Sequence, residues 1–301
     1  IQVLEGLEAV RRRPGMYIGS TDQHGLHHLV FELVYNSVDE AMAGRCTRIQ
    51  VVLLPGGVVQ VADNGGGIPV EVHPATGVSA LETVLTRLHA GAKFGSKAYQ
   101  VSGGLHGVGA SAVNALSAWF KAEVRRDGKL FRQEYRRGKP VTPVATVGEA
   151  EGTGTVMDFL ADEDIFGPID YDYEFIAERL RELAYLNAGL EIGIWDKRRD
   201  ETSVPYNFYF EGGIANLVKH LNRGRTAIHP QPIFLSGQSN STVVEVAIQY
   251  HDGTGETVNS YANCVYNSDG GSHLTGFRSA LTRVLNDYAR QAKLIKPEVA
   301  L

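Results

Sequence analysis

The chain has 301 residues, 43% of them hydrophobic and 21% charged, the balance of a globular protein with one large domain or two of ordinary size. A formal net charge of −5 supplies no overall electrostatic drive toward nucleic acid or anionic lipid, so most of any nucleic-acid surface is expected elsewhere. Two cysteines, Cys46 and Cys264, exclude a disulfide framework and a cysteine-based metal cluster; with no long apolar run and no basic leader in "IQVLEGLEAV", the expected location is the cytoplasm.

Residues 1–20 predict a short helix that Pro14-Gly15 interrupts. A long helical pattern runs from His24 to Gly44. Ile49 to Leu54 and Val58 to Ala62 predict a hairpin turned at Pro55-Gly56-Gly57, running into "DNGGGIP". Val78 to Ala90 predicts a helix, "GAKFGSKAYQ" a polar loop, and Ser111 to Ala118 another helix. Strands follow at 119–125, 130–136 and 155–159, then a helix at about 173–187. The alternation is that of an α+β fold with largely antiparallel strands, not of regular βαβ units. A second unit is expected from about 208: a short helix in "EGGIANLVKHLN", strands 243–250 and 257–265 paired around "DGTGE", and an amphipathic helix at 273–292.

Glycine is abundant (34 residues) and clustered, which points to backbone approaching something closely. The densest cluster, "VSGGLHGVG", runs into a helical segment, the usual arrangement for holding phosphate. Two familiar phosphate motifs fail on spacing. Neither Gly128-Lys129 nor Gly138-Lys139 completes a G-x-x-x-x-G-K-[ST] loop, and Gly104, Gly107 and Gly109 reverse the G-x-G-x-x-G order of a dinucleotide fingerprint. On the helix "LVFELVYNSVDEAMA", Glu32, Asn36 and Asp39 share one face, with His28 one turn before Glu32. This face reads either as solvated and polar or as a place for general-base and metal chemistry, with Glu32 polarising a water and the Asn36 oxygen as a hard ligand. Asp63, at a strand end before three glycines, reads either as a tight turn or as an acceptor for an exocyclic amine such as that of adenine. A lone "TGT" at 153–155 is weak by itself.

An acid/amide helix, then "DNGGGIP", then "GGLHGVG", then "TGT" is a succession that resembles the four motifs of the GHKL ATPase superfamily, to which DNA gyrase, Hsp90, MutL and histidine kinases belong. Within it, "RRRPGMYIGS", "GLHHLVFELVYNSVDEAMAG", "LHAGAKF", "YQVSGGLHGVGASAVNAL" and "DGGSHLTGFRSALTRVLNDYA" are similar to the ATPase subunits of bacterial type IIA topoisomerases. The last, with "RELAYLN", favours the gyrase B branch over the topoisomerase IV branch. The resemblance implies a Bergerat ATPase sandwich over 1–207 and a smaller α+β transducer domain of ribosomal-protein-like fold over 208–301. It implies that ATP binding closes a gate between two B-type subunits and drives passage of duplex DNA, in company with the gyrase A subunit.

Position by position, the resemblance makes Glu32 the general base, oriented by His28, and Asn36 the ligand of Mg²⁺. Asp63 would accept from the adenine amino group, with Thr155 sharing the contact through water. Gly67, Ile68, Pro69 and Val84 would line the adenine pocket. Lys93 and Tyr99 would touch phosphate and nucleoside. Gly104, Leu105, His106, Gly107, Val108 and Gly109 would wrap the triphosphate. Asp63, Arg132 and Thr155 would contact aminocoumarin-type inhibitors. Departures from the family pattern fall at Tyr35, Gly66, Ala92 and Gln100. At Gly66 the family carries an arginine that pairs with the acid at Glu40, so a more open pocket mouth, an unpaired Glu40 and weaker inhibitor binding are expected. The family's N-terminal arm and downstream lysine loop are not found in these residues, so slow hydrolysis and weak dimerisation are expected of the chain by itself.

Overall fold

The computed structural model describes residues 6–90, 108–200, 202–296 and 299. Two short helices come first, α1 (Glu8–Arg12) and α2 (Gly15–Ile18). Pro14 separates them and opens α2, a position where its missing N–H is no loss. The long helix α3 (Gln23–Met42) is capped by Asp22, whose carboxylate accepts from the backbone N–H of His24 (2.9 Å) and Gly25 (3.3 Å). Only glycine fits at Gly25, because a Cβ there would overlap the Ser20 carbonyl. Leu26, Leu29, Val30, Leu33, Val34 and Val38 form the buried stripe of α3.

The hairpin β1 (Arg48–Leu53) and β2 (Val58–Asp63) follows, then α4 (Ala80–Thr86) and α5 (Gly109–Ala115). Five strands come next: β3 (Ser117–Arg126), β4 (Lys129–Arg136), β5 (Lys139–Pro140), β6 (Ala145–Glu149) and β7 (Gly154–Ala161). After α6 (Glu163–Phe166) and α7 (Tyr173–Leu186) come β8 (Glu191–Asp196) and β9 (Tyr206–Phe208). Among the described residues these nine strands make one sheet in the order β5-β4-β3-β7-β2-β1-β8-β9, with β6 paired to β4. Every pairing is antiparallel except β1 with β8.

Register places one apolar layer across the strands. Val61 lies between Val51 and Met157, and Phe159 between Val59 and Phe120. All six are buried, and α3 packs on β1 and β2, α5 on β3, β4 and β7, and α7 on β8 and β9. The period-2 pattern that buries Val59 and Val61 carries Asp63 onto the same inward side, opposite Thr155. The edge of a hydrophobic layer thus presents a carboxylate.

Contacts divide the chain into two compact units, Ile1–Asp252 and Gly253–Leu301. The boundary expected at 207 falls inside the first unit, where β9 is hydrogen-bonded as the sheet's last strand. That unit also holds α8 (Gly213–Leu221) and the hairpin β10 (Ile233–Ser239) and β11 (Thr242–Ile248). The second holds β12 (Tyr261–Ala262), β13 (Val265–Tyr266) and α9 (Ser272–Gln291). Strands 243–250 and 257–265 do not pair with each other, contrary to expectation. β11 pairs with β10 around Asn240-Ser241, where Asn240 adopts φ 52°, a conformation asparagine accepts at low strain. The helix expected at Ser111 to Ala118 begins earlier and stops at Ala115, because Ser117 is already in the ladder with Ala161.

Candidate functional site

The polar face of α3 lies beside the start of α5. His28 Nε2 is 3.0 Å from Glu32 Oε1, one helical turn away, and both side chains reach solvent. Gly109, the first residue of α5, sits so close to this carboxylate that an added Cβ would overlap it. The end of the glycine-rich stretch and the acid on α3 therefore form one constellation. Val108 precedes it, buried, with its carbonyl accepting from Ser111 Oγ (2.9 Å) and Ala112 N (2.7 Å).

Asn36 lies one turn beyond Glu32. Its Nδ2 donates to the Glu32 backbone carbonyl (2.9 Å), which fixes the amide and leaves Oδ1 as its acceptor end. Among the described residues no group of three or more His, Cys, Asp or Glu could hold a metal ion. A cation here would take Asn36 plus oxygen atoms of a bound phosphate and water, the mixed coordination that suits Mg²⁺. The site fits such an ion and does not fit an all-protein metal centre.

Asp63 is fixed by three donors: Ser37 Oγ (2.8 Å), Gly65 N (2.9 Å) and Thr155 N (3.3 Å). Desolvation nevertheless pushes its pKa up, with a smaller contribution from Glu40, while the three hydrogen bonds oppose the rise. Such a carboxylate, half-buried and held by three donors, can accept from an amine. Gly67 (φ 74°) leads to half-buried Ile68 and exposed Pro69; Val84 on α4 is half-buried and Thr155 buried. Lys93, Tyr99, Gly104, Leu105, His106 and Gly107 lie outside the described residues, as do Ala92 and Gln100.

One expectation changes. Glu40 is not unpaired: Arg45 Nε donates to its Oε2 (2.9 Å) and Arg45 NH2 to its Oε1 (2.7 Å), and Gly66 N adds a bond to Oε2 (3.2 Å). The missing side chain at Gly66 is compensated from the loop after α3, and an added Cβ at Gly66 would meet Arg45 Cδ at 3.6 Å. Arg132 is also paired, its Nε donating to Glu123 Oε1 across the β3–β4 ladder (2.7 Å). Tyr35, where the family pattern has an acid, accepts from Arg179 NH2 (2.8 Å) and ties α3 to α7. A second tie joins them at His27, whose Nε2 accepts from Asp172 N (2.9 Å) and whose ring stacks on Phe175 (5.0 Å). Burial holds the His27 pKa down, in keeping with an acceptor nitrogen.

Sequence reading missed Ser37, Arg45, Arg125 and Arg126. Ser37 had a signal, being adjacent to Asn36 on a helix already singled out. The arginines had none, since their partners are backbone carbonyls or an acid chosen by tertiary geometry.

Comparison with known proteins now has a geometry to meet. Residues 21–164 match the family described as histidine kinase-, DNA gyrase B-, and HSP90-like ATPase, and residues 213–301 match the DNA gyrase B family. A crystal structure of the 43K ATPase domain of Thermus thermophilus gyrase B in complex with an aminocoumarin superposes with a TM-score of 0.86 at 41% identity, covering 97% of this chain and 75% of that one. The chain belongs to the DNA gyrase B family. The gyrase B subunit of Treponema pallidum is 54% identical over 298 residues and that of Thermotoga maritima 49% over 305, covering 98% and 99% of this chain. The chain spans about half the length of these curated gyrase B relatives (47% and 48%). Its mixed, largely antiparallel sheet with helices is the gyrase B ATPase fold. No helix among the described residues is long and apolar enough to cross a membrane.

Proposed function

We propose that the chain is the ATP-binding and ATP-hydrolysing part of a DNA gyrase B subunit. One observation carries this reading: the His28–Glu32 pair faces the first residue of α5 at the end of the glycine-rich stretch. Glu32 is the general base, drawing a proton from a water aimed at the γ-phosphate, and His28 orients its carboxylate. Gly109, with no side chain, lets the phosphate-facing backbone reach this acid. Gly104, Leu105, His106, Gly107 and Val108 would complete the phosphate wrap, with phosphate and nucleoside contacts from Lys93 and Tyr99. Asn36 would hold Mg²⁺, which when bound would supply charge neutralisation for the phosphates. Asp63 accepts from the adenine amino group, supported by Thr155, with Gly67, Ile68, Pro69 and Val84 around the base. Most of the catalysis is positioning and charge stabilisation, as phosphoryl transfer requires.

In the whole cytoplasmic enzyme, nucleotide binding joins two B subunits, and hydrolysis couples to passage of duplex DNA with gyrase A and to negative supercoiling. The separate family matches before residue 165 and after residue 212 support an ATPase module over 1–207 and a transducer module from 208. The aminocoumarin carried by the Thermus relative supports inhibitor contacts from Asp63, Arg132 and Thr155 here. Steady-state turnover and ADP affinity of Glu32→Gln test the central assignment. Hydrolysis should be lost while ADP binding persists; retained turnover sinks the proposal, and a topoisomerase IV role would instead show as ATP-driven decatenation without supercoiling.

A further inference from the structure

The turn from Asp63 to Gly67 is held from outside by four charged side chains. On one flank Gly66 N donates to Glu40 Oε2 (3.2 Å), and Arg45 grips both oxygens of that carboxylate (2.9 and 2.7 Å). The fit is close: a Cβ at Gly65 would lie 3.1 Å from Glu40 Cβ and 3.0 Å from Asp63 Oδ1. On the other flank Arg125 NH2 donates to the Asp63 carbonyl (3.3 Å) and Arg126 NH1 to the Gly67 carbonyl (3.1 Å). Gly67 approaches β3 so nearly that a Cβ would stand 2.8 Å from the Arg125 carbonyl oxygen. Both ends and the middle of the turn are thus tied to α3, to the loop after it and to β3.

We propose that Arg45 is a positioning residue for nucleobase recognition, acting through Glu40 and the Gly66 N–H to hold the Asp63 carboxylate where it reads the base, with Arg125 and Arg126 fixing the opposite flank. A glutamate side chain left alone loses conformational freedom when it holds one geometry; a bidentate guanidinium supplies that geometry and offsets the glutamate charge beside Asp63. Arginine does this where lysine cannot, because the fork engages both carboxylate oxygens at once. The consequence is base selectivity. Adenine offers an amino donor where guanine offers an oxygen acceptor, so a well-placed Asp63 favours adenine and repels guanine, and a displaced one discriminates less.

The inference rests on Asp63 as the base reader, so the test includes that residue. Calorimetric titration of the purified chain with ADP and with GDP is compared for the parent, Arg45→Ala, Arg45→Lys, Glu40→Gln and Asp63→Asn, each checked for a cooperative thermal melt. Arg45→Ala should lose about tenfold in ADP affinity, the scale of one charge-assisted hydrogen bond, with a matching fall in the ADP-to-GDP ratio. Arg45→Lys should fall between it and the parent. Glu40→Gln should reproduce the loss without removing Arg45. An unchanged ADP-to-GDP ratio in Arg45→Ala and Glu40→Gln, alongside a collapsed ratio in Asp63→Asn, overturns the inference alone. An unchanged ratio in Asp63→Asn overturns the base-reader assignment as well.

Discussion

Glu32 and Asp63 are carboxylates of one site held in opposite ways. Glu32 keeps 22% of its side chain exposed and, among the described residues, has His28 within salt-bridge distance. Asp63, half-buried at the end of an apolar layer, is fixed by three donors and carries a raised pKa. An acid that must take a proton and give it up benefits from an exchangeable neighbour and a path to water. An acid that must recognise a base benefits from rigidity and low dielectric, at a cost to the fold. On the proposed roles, turnover and recognition are divided between a helix face and a strand end.

The sharpest way to break this contrast is at Glu32. Glu32→Gln should reduce ATP turnover by about 10²–10⁴-fold, the usual contribution of a general base, while ADP affinity by calorimetry stays within about threefold. Asp63→Asn should do the reverse in kind. ADP affinity should fall about a hundredfold, and the thermal midpoint should rise. The rise follows from the sign of the pKa shift: with a folded value above the unfolded one, Asp63 aids folding when protonated, and that aid is lost as pH rises through the folded value. Above the folded value the ionised acid is a net cost that asparagine removes. For the same reason nucleotide affinity of the parent should weaken as pH drops through the raised Asp63 value, and a flat affinity profile across acidic pH would contradict this. Gly109→Ala should sit next, at about 1–2 kcal/mol of lost stability in denaturant melts, because the methyl must displace the Glu32 carboxylate. The smallest effect belongs to Arg132→Ala. Arg132 itself is 41% exposed, although its cross-strand partner Glu123 is only 17% exposed, and denaturant unfolding should register about 1 kcal/mol or less.

What could be read without coordinates followed periodicity. The helix from His24 was visible because its apolar stripe repeats over five turns, and the structure moves its ends by only one or two residues. "VVQVAD" gave its strand and Asp63 at its end; the inward side of Asp63 came from the ladder with β7. Where the signal failed, long-range pairing had decided. "EIGIWD" alternates too, yet it becomes β8 only because β1 lies open to it. "DGTGE" looks more like a hairpin turn than "SNST", but the chain turns at Asn240-Ser241, where Val243 to Ile248 finds its partner in Ile233 to Gln238. The site showed the same division. Residue type and spacing placed His28, Glu32 and Asn36 on one helix face and Asp63 at a strand end, and the structure agrees; their proposed roles came from the resemblance alone. The Arg45–Glu40 pair was not, because an absent side chain at Gly66 says nothing about which neighbour moves in.

The one parallel pairing in the sheet joins residues 143 positions apart, as the Arg48–Glu191 contact shows. Strands β1–β2 and β3–β4 are local hairpins and β7 returns to join them, β2 pairing with it about a hundred residues away, but β8 becomes available only after α7. Until then β1 offers a bare edge, "RIQVVL", to any other nascent chain. Folding of this sheet therefore contains a stage in which β1 has one neighbour only, and it ends when residues 191–196 have joined it.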